Sequence, residues 1–316
     1  MSDRLKILLA NSEMEYPGGT QSWVRQMYRT LSIDHEVAVF AAEGALPVDL
    51  CPFDPSTTYD LGIINHWTAT QALRKAKIEF RIVTCHGVLP YEEIPVLGAD
   101  RYVAVSESVR DKIPFASSVI RNPIDLAHFR PLSAPSTTLK RLAFVSNRQG
   151  DARPLIEAAA GELGVELRIV GKENAVSDPL DVYNWADMVI GIARVAMEAL
   201  ACGRNVLAMD YLGNHGLASP QGMAQLRSSN YGGHARGAWP TVRELADQIA
   251  AYDPDLSLRD EIENHHDPTR VATQYLDLHA SSTPSRVARL LRNGPRQVSS
   301  PKISQVLSLM KRRSLH

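Results

Sequence analysis

The sequence is poor in cysteine. Cys51, Cys85 and Cys202 are odd in number and far apart. They offer neither a disulfide framework nor metal-ligand spacing, and a reducing cytosol suits them best. No apolar run approaches the ~18–20 residues that cross a bilayer. The opening residues, MSDRLKILLANSEMEYPGG, lack the apolar segment and small-residue cleavage site of a signal peptide and read as a first strand. No G-x-G-x-x-G is present, so a nicotinamide cofactor is not expected. A P-loop lysine motif, a Gly-x-Ser-x-Gly elbow and acidic or histidine clusters at metal spacing are also missing.

Acidic residues are missing from one place as well. Ser281 to His316 contains no Asp or Glu but carries Arg286, Arg289, Arg292, Arg296, Lys302, Lys311, Arg312 and Arg313. Subtracting these eight from the 34 basic residues leaves 26 against 35 acids in the rest of the chain. That asymmetry points to an anionic partner for the tail. Ile303, Val306, Leu307 and Met310 recur at helical spacing there. An anionic membrane surface, nucleic acid phosphates and a tail with no such role all remain open.

What is present is a regular alternation. The 316 residues suit two domains, and the apolar share is enough for real cores. Strands are expected at Lys6 to Ala10, Val37 to Phe40, Asp60 to Asn65, Arg81 to Cys85 and Tyr102 to Val105. Trp23, Val24, Met27, Tyr28 and Leu31 fall at helical spacing after the first. The Pro, Ser and Thr of PLSAPSTT (131–138) read as an interdomain linker. Alternation then resumes, with strands at Leu142 to Val145, Glu166 to Val170, Met188 to Ile192 and Val206 to Met209. This predicts α/β architecture: two tandem doubly wound, Rossmann-like domains facing a cleft. The expected boundaries are residues 1–133, 138–280 and a basic tail, 281–316.

Ligands of such sheets bind at the carboxyl ends of strands. Glu198 lies one turn into a helix at such an end, in ARVAMEALACGRNVLAMD. A carboxylate there can hold the two hydroxyls of a ribose. A half-exposed surface glutamate is the plain alternative.

The segment ADMVIGIARVAMEALACGRNVLAMD resembles the donor-site motif of retaining GT-B glycosyltransferases, the large family 4 of nucleotide-sugar enzymes. That resemblance implies that Glu198 binds the nucleotide ribose. The family's first glutamate, eight positions earlier, would fall at 190, where this chain has Ile190. Arg194 or backbone groups would then take over the donor sugar. Gly191, Ile192 and Ala193 would offer N–H groups at a helix start. PGGTQSWVRQMYRTL resembles the family's Gly-Gly loop, with Gly18, Gly19 and Thr20 approaching a phosphate or acceptor; a simple tight turn capped by Thr20 is the alternative. His86, after RIVTCHGV, matches the family's histidine near the reacting bond. His66 occupies a similar strand end and reads more readily as structural. Asn122, in VIRNPIDLAHFRP, is placed to line the cleft. Arg148, Arg153 and Lys172 are the candidates for the diphosphate clamp.

The resemblance implies a retaining, metal-independent transfer of a hexosyl or pentosyl group from a nucleoside-diphosphate sugar, with no cofactor. The favoured acceptor is an envelope glycan or lipid, with a modified nucleic acid base as another candidate. The expected setting is cytoplasmic, with peripheral membrane contact open. A silent nucleotide- or glycan-binding relative and a nucleotide-sugar epimerase are the competing functions.

Overall fold

The computed structural model describes residues 4–16, 18–87, 93–176, 178–285 and 288. The chain is α/β and divides into two compact units. One takes the described residues up to Pro123 and those from Pro268 onward; the other is Ile124–Asp267.

The first unit begins with β1 (Lys6–Glu13), α1 (Gly19–Leu31), β2 (Glu36–Glu43), β3 (Tyr59–Asn65) and α2 (Trp67–Ala72). It continues with β4 (Ile78–Cys85), β5 (Arg101–Ala104), α3 (Glu107–Arg110) and β6 (Ser117–Val119). Its six strands are all parallel, in the order β2-β1-β3-β4-β5-β6. The chain leaves β1 in one direction and returns on its other side at β3. The topological switch point, where ligands of such sheets bind, therefore lies between the carboxyl ends of β1 and β3. Trp23, Val24, Met27 and Leu31 form the buried stripe of α1, at the spacing read from the sequence.

The second unit contains β7 (Arg141–Val145), α4 (Ala152–Leu163), β8 (Glu166–Val170), α5 (Leu180–Trp185), β9 (Met188–Ile190) and α6 (Arg194–Ala201). β10 (Asn205–Asp210), β11 (Gly213–Leu217), α7 (Met223–Ser228), α8 (Val242–Ala250) and α9 (Arg259–His266) complete it. Its strand order is β11-β10-β9-β7-β8, parallel except for the edge strand β11. The switch point here falls between β7 and β9. The sequence reading did not foresee β11: its residues, GNHGL, carry no alternating pattern.

The domain boundaries differ from the expected ones in two ways. The last helix, α10 (Pro268–Ala280), belongs to the first unit rather than to the second. Its Val271, Ala272 and Tyr275 join the core of Trp23, Val24 and Met27, and the Tyr275 hydroxyl meets Thr84 Oγ1 at 3.0 Å. An amphipathic helix docks where its apolar stripe is covered, whatever its place in the chain. The expected linker is also built into the second unit. Leu132 N–H donates to Asn184 Oδ1 at 2.7 Å, and Arg204 donates to the Ser133 carbonyl at 2.7 Å. The N–H groups of Ser136, Lys140 and Arg141 all donate to buried Asp187. Burial pushes the Asp187 pKa up, but these donors and the Arg141 guanidinium outweigh it and hold the group at about 2.

Among the described residues, no helix is long and apolar enough to cross a membrane. The basic tail from Arg289 onward lies outside the described residues.

Candidate functional site

The carboxyl end of the second sheet is built for close approach. Gly191 follows β9 at the switch point. A side chain there would meet the Val195 side chain at 2.4 Å and the Val145 carbonyl at 3.0 Å. Only glycine lets β7 and α6 come this near. Two residues on, Ala193 caps α6 with φ 52° and ψ −123°, a conformation that glycine prefers.

Glu198 faces inward from α6 and is 7% exposed. Its Oε2 accepts the Tyr183 hydroxyl at 3.0 Å. Its Oε1 accepts from Arg194 Nε at 3.1 Å, with Arg194 Nη2 at 3.0 Å. Burial raises the Glu198 pKa above the usual carboxylate range, and Arg194 and Tyr183 hold it back. Tyr183, itself buried beside this carboxylate, is pushed well above an ordinary phenol. The structure thus brings Glu198 and Arg194 together, as partners of each other.

A carboxylate has about four acceptor positions. Three are taken here, so a ribose diol, which donates two hydrogen bonds, must displace one Arg194 contact.

Position 190 is a correction. Ile190 is fully buried in β9, in register with Leu207 and Phe144, among the core residues that include Ile156, Leu245 and Ile249. An acid there would enter a hydrocarbon core, not a donor pocket. Counting eight residues back from Glu198 overshoots the loop and lands in the strand.

The expected backbone donors are corrected too. Gly191 N–H donates to the Leu207 carbonyl at 3.2 Å and Ala193 N–H to the Tyr231 carbonyl at 3.1 Å. Both are spent on internal bonds. Tyr231 comes from the loop Asn230–Gly233, where Asn230, Tyr231 and Gly232 all have positive φ. That loop therefore holds the start of α6.

Arg153 and Lys172 do converge. With Asn147, Gln149, Glu173 and Asn174 they line a cavity of about 430 Å³ at the ends of β7 and β8. Arg153 pairs with Glu157 at 2.8 Å and reaches Gln149 at 3.3 Å. Arg148 turns elsewhere: its guanidinium lies 5.3 Å over the Tyr211 ring and donates to the Tyr211 hydroxyl at 3.2 Å.

The sequence reading assigned no role to Asp210, although an acid at the end of a buried strand was a usable signal. It is buried, accepts the Leu212 N–H at 3.0 Å and faces Ser146 Oγ at 3.5 Å. Burial pushes its pKa up to about 6 against these bonds and nearby Arg148.

In the first unit, His86 lies after β4 between two amides. Its Nε2 is 3.1 Å from Asn65 Oδ1 and its Nδ1 is 3.3 Å from Asn122 Oδ1, with the Trp23 ring edge-on at 5.4 Å. The structure thus brings His86 and Asn122 together. Gly18, exposed and extended, caps α1 without a side-chain bond. Thr20 is not the cap. It sits in the first turn, and its Oγ1 accepts from Asn11 Nδ2 at 3.3 Å.

The larger surprise is His66. It caps α2 at φ 66° and ψ 147°, in a region that is nearly glycine-only. Its Nδ1 lies 2.6 Å from Ser12 Oγ, and its Nε2 lies 3.3 Å from Glu93 Oε1. Glu93 Oε2 accepts the His86 backbone N–H at 3.0 Å. Burial raises the Glu93 pKa, yet the two histidines and this N–H outweigh it and lower the group below the usual carboxylate range. The sequence reading weighed His66 alone. Neither Ser12 nor Glu93 stood out in it.

No protein-family model matches the sequence, and no curated protein does. Solved structures do match. AviGT4, a glycosyltransferase involved in avilamycin A biosynthesis, has a TM-score of 0.57 at 17% identity, over 89% of this chain and 100% of that one. Anabaena Alr3699/HepE, in complex with UDP and glucose, has 0.56 at 16%, over 88% and 100%. An α-glucosyltransferase in complex with UDP and a 13-mer DNA containing an HMU base has 0.55 at 12%, over 88% and 100%. The fold is thus the GT-B fold of glycosyltransferases, two doubly wound α/β domains in tandem.

Proposed function

We propose that the protein is a glycosyltransferase that moves a hexosyl or pentosyl group from a nucleoside-diphosphate sugar. One observation carries the reading. On a glycosyltransferase fold, the buried carboxylate of Glu198 is kept one turn into α6, at the carboxyl end of the second sheet beside the switch point. Burying a charge is expensive unless function or pairing requires it.

In this reading the ribose takes over part of Glu198, and Arg194 shifts from the carboxylate toward the diphosphate. Arg153 and Lys172 supply further positive charge from the neighbouring cavity. An Arg–phosphate pair is favourable because the fork of N–H groups matches the phosphate oxygens. Developing charge on the leaving diphosphate is stabilised by groups already in place. Ile192 remains a donor-side residue, whereas Gly191 and Ala193 shape the loop instead of binding.

The first unit holds the acceptor-side groups: the Gly18–Gly19–Thr20 turn, Asn122 and His86, whose ring would give up one of its two amide contacts to donate to a sugar hydroxyl. Family 4 membership, retention of configuration and metal independence are parts of this proposal that rest on the sequence resemblance. An envelope glycan or lipid is the favoured acceptor. A modified nucleic acid base is the other, supported by the DNA bound to one structural neighbour.

The test is nucleoside diphosphate release from UDP-, GDP-, dTDP- and CDP-sugars, with and without candidate acceptors. One nucleotide series is expected to turn over. Binding without release from any of them would favour a second reading, a silent nucleotide- or glycan-binding protein.

A further inference from the structure

We propose that Ser12, His66 and Glu93 form a nucleophilic serine centre that accepts the acyl group of a carboxylic ester. This goes beyond the glycosyltransferase reading and does not depend on it.

The three residues come together for topological reasons. Ser12 lies at the carboxyl end of β1, and His66 directly follows β3. The last paired residues of these strands are Ala10 and Ile64, so the register carried two residues further sets Ser12 opposite His66. Both therefore flank the switch point of the first sheet, the usual ligand crevice of such folds. Glu93 reaches the same place from the segment after β4.

The hydrogen bonds define a direction. Ser12 presents both its backbone N–H, at 3.4 Å, and its hydroxyl, at 2.6 Å, to His66 Nδ1. Nδ1 is then the acceptor, and Nε2–H donates to the Glu93 carboxylate at 3.3 Å. In that tautomer Nδ1 is the atom that can take a proton from the serine. A nucleophile, a base in hydrogen-bond reach and a third group orienting the base are the parts that activate a serine. His66 is held in its near-glycine-only conformation to do this, and such strain gathers at functional sites.

Two unpartnered buried groups point to a polar ligand here. Asn11 and Asn65, the residues before Ser12 and His66, are fully buried. Among the described residues, Asn11 Oδ1 has no donor and Asn65 Nδ2 has no acceptor. Asn11 Nδ2 reaches Thr20 Oγ1, which sets the start of α1 beside the end of β1. Ser22 makes the first intrahelical bond, to the Gly18 carbonyl at 3.0 Å. The N–H groups of Gly19, Thr20 and Gln21 precede it in the first turn, the part of a helix whose N–H groups lack an intrahelical acceptor.

The reaction follows. Ser12 Oγ bonds to the ester carbonyl carbon while its proton moves to His66 Nδ1. The carbonyl electron pair moves onto oxygen. Collapse breaks the bond to the alcohol, which leaves with the proton from His66. Water then repeats the sequence on the acyl-serine and releases the carboxylic acid.

The test uses the full chain and a fluorophosphonate probe, which an activated serine attacks at phosphorus with loss of fluoride. Intact mass and peptide mapping are expected to show one adduct, on Ser12. Labelling should vanish in Ser12→Ala and fall about 100-fold in His66→Asn, the scale of general-base assistance. Asparagine is strained at this backbone no less than histidine, so the melt of His66→Asn is checked alongside and its labelling is compared only where the melt is native. No labelling above that of the urea-denatured chain would overturn the proposal. So would Ser12 labelling that His66→Asn leaves unchanged.

Discussion

His66 and Ala193 occupy equivalent places in the two sheets. Each caps the helix that leaves a strand flanking the switch point, and each has positive φ, 66° and 52°. Neither residue type favours that conformation, and each departure costs roughly 1–3 kcal/mol. Both are kept where ligands of doubly wound sheets bind.

Ala193→Gly should therefore stabilise the protein. Relief of strain, roughly 1–3 kcal/mol, exceeds the ~0.5–1 kcal/mol that glycine costs through unfolded-chain entropy. Urea denaturation should show a gain of about 1 kcal/mol with an unchanged slope. A loss of stability would mean that the Ala193 methyl, packed near Gly233, matters more than the backbone.

Ile190→Glu should not create a donor-sugar contact. It places a carboxylate in a fully buried strand position within a cluster of hydrocarbon side chains, and should cost about 3 kcal/mol or more. A variant that keeps its urea midpoint and gains turnover would show that position 190 opens toward the ligand.

Asp210 and Asp187 should make opposite contributions to pH dependence. The folded pKa of Asp210, about 6, lies above its ordinary 3.8. Its favourable contribution is full below about pH 4 and is lost as pH rises through 6, a penalty of ~3 kcal/mol at neutral pH. Asp210→Asn should therefore stabilise the protein at pH 7.5 and do little at pH 4. The folded pKa of Asp187, about 2, lies below 3.8. Its contribution is present above pH 4 and lost as pH falls toward 2, so Asp187→Asn should cost ~2 kcal/mol at neutral pH. Melting curves across pH for both variants check the two signs together.

Tyr183→Phe removes the buried donor to Glu198 Oε2 and should cost roughly 1–3 kcal/mol. Arg194→Met removes the charge that holds the Glu198 pKa down, so Glu198 should protonate at a higher pH. A carboxyl carbon NMR titration reads that directly; an unchanged titration in Arg194→Met would show that the pair is not coupled.

Much of the fold was legible because apolar runs and helical spacing report local structure. β1, β3, β4, β7 and β9 fall where their runs predict. Glu198 was legible because an isolated acid in an apolar helix stands out. The loop chemistry was not. Gly191 and Ala193 donate to carbonyls of Leu207 and Tyr231, 16 and 38 positions away, which no local pattern encodes. Ser12 and His66 are 54 positions apart, and His66 and Glu93 are 27 apart. Strand register brings Ser12 to His66, and the segment after β4 brings Glu93. The place of α10 was hidden for the same reason, since its stripe does not say which core covers it.

The most direct test of the glycosyltransferase account is nucleotide binding at Glu198. Thermal shift and calorimetry with UDP, GDP, dTDP and CDP would compare the wild type with Glu198→Gln, which keeps the shape and the Tyr183 contact but loses the charge. The account predicts that one nucleotide raises the melting temperature by mass action and that Glu198→Gln weakens it at least tenfold. Equal nucleotide affinity in both proteins, or none in either, would contradict it.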